Sequence, residues 1–167
     1  MLRNPIDRAC SRYYHQQKYS STIDPLSFEE AVKQEPERLN SEFEKIIYNE
    51  KYYNREDYRN LYKKYYKYAY LHSSIYINYI KHWLRFFPRK QLLILKSEDL
   101  FKDPIETYAR VLKFLNLPKW DLKEYKIYNP NHYQKMDTIT RNYLIDYFKP
   151  HNEMLYEYLG MNLDWDK

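Results

Sequence analysis

Two residues near the start of the chain have the chemistry to grip a phosphate. Arg3 carries a planar guanidinium whose fork offers phosphate two parallel charge-assisted hydrogen bonds, and Ser11, eight positions on, carries a hydroxyl. The residues between them set the geometry. Asn4 is a preferred N-cap, Pro5 at the first helical position loses no needed donor, and Asp7 suits the positive end of the helix dipole, so a helix begins at about Pro5. Ser11 then lies six residues into the helix, roughly 9 Å along its axis. Arg3 sits in the turn before it, at the carboxyl end of a short strand, where open α/β sheets place ligands. A guanidinium reaching up from that turn and the hydroxyl can share one phosphate. The same residues also fit a plainer reading, a capped amphipathic helix with ordinary surface arginines.

The helix must pack one side to hold the other in place. Ile6, Ala9, Cys10, Tyr13 and Tyr14 recur at the spacing of a buried stripe, while Arg8, Ser11, Arg12 and His15 share another side. Further along, Ser27 with Glu30 forms a capping box for a short helix that places Phe28, Ala31 and Val32 inward and ends at Pro36. Residues 39–71 read as mostly helix with a break around 49–54, and Tyr58, Tyr62 and Tyr66, with Leu61 and Tyr65, form a helical stripe. Tyr76, Ile80, Trp83, Leu84 and Phe87 mark a helix stopped by Pro88, and the aliphatic run at 92–95 suits a strand covered on both faces. Asp103, Pro104 and Glu106 open another helix, with Ile105, Tyr108, Leu112 and Leu115 as its buried stripe. After a connecting region over 117–136 come two helices, 138–148 capped by Asp137 and 150–159 opened by Pro150 and closed by Gly160.

Composition narrows the function. A chain of 167 residues fits one domain with a real core, and a net charge of +5 suits an anionic ligand without demanding nucleic acid. The stretch LYKKYYKYAY interleaves cations and aromatics in a way that could stack bases or sugar rings, but one packed and one solvated face explains it better, since the same composition runs through the chain. Cys10 is the single cysteine, which excludes an intramolecular disulfide and a thiolate metal cluster, and it reads as a core residue. The five histidines show no metal-ligand spacing, so no metal is expected. Gly160 is the single glycine, so neither GxxxxGKS nor GxGxxG can be written in this chain. Ser97, Glu98 and Asp99 set two carboxylates after a strand, where helix-start capping is a better account than acid–base catalysis. No apolar run approaches a membrane span or a signal peptide, and the expected compartment is the cytoplasm, with no membrane partner.

The run from Arg3 to Tyr13, Arg-Asn-Pro-x-Asp-Arg-x-x-Ser-x-Tyr, resembles the 3′-phosphate-binding segment of sulfotransferases that use 3′-phosphoadenosine 5′-phosphosulfate (PAPS), especially the heparan-sulfate-type branch and its bacterial relatives. The block IYINYIKHWLRFFPRKQLLILKSEDLFKDPIETYARVLKFLNLP is similar to the family's helix, strand, Ser-Glu-Asp-Leu turn and following helix. The ending PHNEMLYEYLGMNLDWD resembles its C-terminal signature. The family usually carries a glycine just before the first Tyr of that block, where this chain has Ser74 and Ile75.

The resemblance implies an α/β fold, the C-terminal part of a P-loop-type sulfotransferase domain, mostly helical with parallel strands at residues 1–3 and 91–96, in a single partial domain over 1–167. It carries the donor's 3′-phosphate onto Arg3 and Ser11, and places Tyr133 and Lys135 in a loop that approaches the nucleotide. The activity implied is transfer of a sulfuryl group from PAPS to a hydroxyl or amine acceptor: a carbohydrate, a small molecule or a protein. The family's phosphate loop and catalytic base have no counterpart in this chain, so no catalytic residue is assigned. The chain is then a fragment or one half of a split enzyme, completed by an N-terminal half and inactive alone. The alternative is a non-catalytic remnant, or a basic tyrosine-rich binding or scaffold protein.

Overall fold

A computed structural model describes residues 1–19, 23–39, 56–121, 124–126 and 135–165. The helix expected at Pro5 starts there, and α1 runs Pro5–Tyr19. Asn4 caps it as its chemistry requires, its side-chain oxygen accepting the Ile6 amide at 2.9 Å. Ile6, Ala9, Cys10 and Tyr13 are buried along one face, joined by Gln16, while Tyr14 is half-buried. Burial pushes the Cys10 thiol up to about 12, with the Asp7 and Glu29 charges adding to the effect, so it stays a protonated core residue.

Helix α2, Phe28–Leu39, begins with the expected capping box: Glu30 accepts from the Ser27 amide and hydroxyl, and the Ser27 hydroxyl accepts from the Glu30 amide. It does not end at Pro36. Proline costs the helix one amide donor, but the turn beyond it is held from outside, because Leu39 is buried and Arg38 is paired with Asp24. Helix α3, Glu56–Tyr68, packs on α2. Its tyrosine stripe is corrected by the structure: Tyr65 is buried with Leu39 and Ala69, whereas Tyr62 and Tyr66 face solvent. Residues 40–55 lie outside the described residues, as do the side chains of Tyr58 and Leu61.

A 3-10 turn, His72–Ser74, leads into α4, Tyr76–Leu84, which buries Tyr76, Ile77 and Ile80 but leaves Trp83 exposed, with Phe87 exposed beyond its end. The strands expected at 1–3 and 91–96 do not form among the described residues. Gln91 closes a 3-10 turn, Arg89–Gln91, and one parallel bridge joins Leu2 to Lys96 through Leu2 N to the Leu95 carbonyl at 2.7 Å and Ser97 N to the Leu2 carbonyl at 2.6 Å. The backbone at Leu92 is extended, yet a ladder needs successive bridges and this pair makes one.

Two helices follow the bridge, α5 at Ser97–Lys102 and α6 at Pro104–Phe114. Asp103 caps α6 by accepting the Glu106 amide at 3.0 Å. The expected stripe is again displaced, since Leu112 and Thr107 are buried while Ile105 and Leu115 are exposed.

The two C-terminal helices are one. Helix α7 runs Thr138–Leu159 straight through Pro150, because buried Phe148 on one side of the proline and Asn152 and Leu155 on the other are pinned to the same core. Gly160 ends it in the left-handed conformation at φ 65°, which glycine adopts without a Cβ penalty. Helices α1 and α4 pack against α7. At its start Asp137 accepts the Thr140 amide at 2.7 Å. Asp137→Ala should lower the urea midpoint at unchanged m-value. An unmoved midpoint would mean that the Thr140 amide is satisfied without Asp137.

Candidate anion-binding site at the start of the first helix

The turn between Leu2 and α1 is fixed from three sides. The parallel bridge holds Leu2, Glu98 at the start of α5 accepts the Asn4 amide at 2.6 Å, and the Tyr76 hydroxyl clasps Arg3, donating to its carbonyl at 2.9 Å and accepting its amide at 3.3 Å. Burial raises the Tyr76 hydroxyl above its ordinary value against the opposing pull of the Arg8 and Arg3 cations, so it stays protonated and able to donate. With the Ile6 amide held by Asn4 and the Asn4 amide held by Glu98, two main-chain donors at this helix end are already used. An anion arriving here depends correspondingly on side chains.

Arg3 is half-buried in that turn. Its positive charge is felt by the Cys10 thiol, the residue next to Ser11, where it opposes the rise caused by burial. Ser11 is half-buried on α1, one turn beyond Arg8. The two arginines of the helix, Arg8 and Arg12, have protein partners. Arg8 donates through Nη1 to the Ser73 and Ser74 hydroxyls at 2.8 and 3.0 Å and lies 5.8 Å from the Tyr76 ring centre. Arg12 donates to the Tyr66 carbonyl at 2.8 Å and lies 5.5 Å from that ring. Asp7 faces Arg141 of α7 at 3.4 Å, a half-exposed pair worth less than about 1 kcal/mol.

Of the remaining sequence candidates, Lys135 is exposed just ahead of the Asp137 cap, and Tyr133 lies outside the described residues. His15 is exposed on α1, its ring 4.8 Å from that of Tyr19. A cleft of about 200 Å³ is lined by Trp83, Leu84, Phe87, Gln91 and Leu92, with none of Arg3, Ser11 or Lys135 on its wall. No group of three or more potential metal-ligating side chains occurs among the described residues. No helix among them is long and apolar enough to cross a membrane.

Sequence reasoning did not assign Tyr76, Ser73 and Ser74 to this region. Ser74 stands in the region where the resembling family has glycine, and it has a task glycine lacks: its hydroxyl accepts from Arg8 and donates to the Tyr70 carbonyl at 2.9 Å.

A single parallel bridge leads directly into a capped helix, with the intervening turn at the carboxyl end of the bridged pair, in a mostly helical fold. The chain belongs to the sulfotransferase domain family, whose model matches residues 1–142. It is 34% identical over 95 residues to the membrane-associated sulfotransferase kil1 of Dictyostelium discoideum, a match covering 57% of this chain and 20% of that protein. It is 25% identical over 122 residues to heparan sulfate glucosamine 3-O-sulfotransferase 5 of mouse, covering 59% of this chain and 35% of that protein. A sulfotransferase structure from Alicyclobacillus acidocaldarius superposes with a TM-score of 0.70 at 24% identity, over 100% of this chain and 56% of the other, and shares its fold. The matches thus span 20% and 35% of the two curated relatives and 56% of the bacterial structure.

Proposed function

We propose that this chain is the donor-binding portion of a PAPS-dependent sulfotransferase, in which Arg3 and Ser11 hold the 3′-phosphate of the nucleotide. The observation that carries the reading is the anchored turn at Leu2–Lys96: the Tyr76 hydroxyl and Glu98 fix the main chain of Arg3 and Asn4 at the carboxyl edge of the parallel pair. A guanidinium and an alcohol suit a phosphate dianion, since both donate and neither repels it. Lys135 and Tyr133 belong to the loop expected to approach the same nucleotide.

Sulfuryl transfer also needs an acceptor held in line with sulfur, a base for its proton, and cations on the leaving phosphate. This chain contributes binding and orientation of the far end of the donor, and those remaining parts come from a complementary N-terminal portion of the fold. The names of the 3-O-sulfotransferase relatives favour a carbohydrate hydroxyl as acceptor.

Calorimetric titration with 3′-phosphoadenosine 5′-phosphate tests the reading. Binding should occur, weaken with added salt, and fall on Arg3→Ala and on Ser11→Ala. An affinity untouched by both substitutions would overturn donor recognition by these residues. Absence of any nucleotide binding would favour a remnant or scaffold protein.

A further inference from the structure

Glu35 is a carboxylate the proposed reaction does not use, and it is 2% exposed in the second half of α2. Its two oxygens do not serve its own helix. Oε2 accepts the Leu71 amide and Oε1 the His72 amide, each at 2.7 Å, from a segment 36 residues further along the chain. These amides open the His72–Ser74 turn, whose preceding residue, Leu71, supplies no side-chain cap. The carboxylate therefore caps another segment's turn from beneath.

That turn reaches the candidate site by two routes. Its serines receive the Arg8 guanidinium, and it delivers the chain into Tyr76, whose hydroxyl holds the amide and carbonyl of Arg3. One buried carboxylate thus lies under both arginines that flank the start of α1.

We propose that Glu35 is a positioning residue for the donor site and that its ionisation sets how firmly the site is held. The carboxylate form clamps the turn at 71–74, which aims Arg8 and tethers Arg3. The acid form keeps one accepting oxygen and turns a hydroxyl toward an N–H, so one of the two clamping bonds is lost. The inference rests on the donor-binding reading above for its effect on nucleotide affinity.

Burial raises the Glu35 carboxyl to about 7, against the lowering effect of the His72, Leu71 and Tyr70 amides and the Arg12 charge, so the clamp titrates near neutrality. The described groups around it come from four elements. Arg12 comes from α1, His72 from the turn itself, Tyr65 from α3 and Tyr79 from α4, with the Tyr65 hydroxyl in contact with both Tyr79 and the His72 Nδ1. Arg38 of α2 is paired with Asp24. His72 lies in the clamped turn and carries an imidazole, so its substitution is a necessary control.

The sign separates positioning from plain stability. An acid raised from 4.5 to about 7 binds its proton more tightly in the folded protein, so its contribution to stability is full below about pH 4.5 and is lost as pH rises through 7. Donor affinity should change the other way, growing over the same window as the clamp forms.

The test compares wild type, Glu35→Gln and His72→Gln in 3′-phosphoadenosine 5′-phosphate affinity and melting temperature from pH 5.5 to 8.5. Titration of the ligand's own phosphate is common to all three proteins and cancels in ratios. The wild-type to Glu35→Gln affinity ratio should climb from near one to about tenfold, the worth of one hydrogen bond to a charged group. The loss of melting temperature through pH 7 should be absent in Glu35→Gln and kept in His72→Gln. In wild type without ligand, NMR signals of the Arg8 Nε and the Ser74 amide should titrate with the Glu35 side-chain carbon. A flat ratio with nucleotide bound overturns the inference, as does failure of Arg8 and Ser74 to follow Glu35. If no nucleotide binds, the donor reading falls, and the clamp of Arg8 by Glu35 is then judged by the co-titration alone, which also holds if Glu35→Gln fails to fold.

Discussion

Asp24→Ala is expected to destabilise the protein by about 3 kcal/mol, the low end of what breaking a buried ion pair costs. Asp24 is 2% exposed and accepts from Arg38 twice, at 2.7 and 3.2 Å, and from the Tyr70 hydroxyl at 3.0 Å. Removing the carboxylate leaves a fully buried tyrosine hydroxyl without this acceptor and a largely buried guanidinium without its counter-charge. Arg38 keeps some solvent and a contact with the Tyr68 ring at 4.6 Å, which is why the low end of the range applies. Against a typical total of about 5–15 kcal/mol this is a large fraction, and the melting temperature should fall by roughly 6–12 °C. Tyr70→Phe, which removes one partner of three, should cost about 1 kcal/mol. A loss below about 1 kcal/mol for Asp24→Ala would mean that water replaces the carboxylate. Burial pushes the Asp24 carboxyl up, but hydrogen bonds from Arg38, the Leu26 amide and Tyr70 together hold it below its ordinary value. Its contribution is therefore present above about pH 4 and is lost as pH falls through its lowered folded value.

Nucleotide affinity should respond more to Arg3 than to any other side chain proposed for the site. A bidentate guanidinium–phosphate contact contributes about 2–3 kcal/mol, so Arg3→Ala should weaken binding of 3′-phosphoadenosine 5′-phosphate by roughly 30- to 150-fold. Arg3→Lys should recover only part of that, because an ammonium keeps the charge and loses the fork. Ser11→Ala should cost about tenfold, at roughly 1.4 kcal/mol for one hydrogen bond to a charged group. If the two groups grip the same phosphate, the double variant should lose less than the sum, with a coupling of at least about 0.5 kcal/mol. Strict additivity would place them on separate parts of the ligand, or leave one of them uninvolved.

Local chemistry made the helix ends legible in the sequence. Asn4, the Ser27–Glu30 box, Asp103 and Asp137 each cap the helix their position announced, because a cap is decided within three residues. What failed depended on neighbours. Pro36 and Pro150 read as helix breaks, and both helices continue because residues on either side are tied into the core. The aliphatic run at 92–95 read as a strand, but a strand is a property of a ladder, and Leu2 to Lys96 supplies one bridge. Helical periodicity placed Tyr62, Tyr66, Trp83, Ile105 and Leu115 on stripes without saying what would cover them, and all five are exposed.

The candidate site divides in the same way. Arg3 and Ser11 are candidates from a run of eleven residues around one helix start, and what that run predicts and the structure shows is the Asn4-capped helix between them. Tyr76, Ser73 and Ser74 meet that helix from more than sixty residues away, a distance over which spacing carries no information. Glu35 carries no signal either, since a glutamate in the second half of an amphipathic helix is ordinarily solvated and its burial follows from the turn it caps.

Phosphorus NMR of 3′-phosphoadenosine 5′-phosphate titrated with the protein tests the central claim most directly, because the two phosphates of the ligand resolve. The account predicts that the 3′-phosphate resonance shifts on binding while the 5′-phosphate responds less, and that Arg3→Ala abolishes the 3′ response. A response confined to the 5′-phosphate, or a 3′ shift that survives Arg3→Ala, would contradict it.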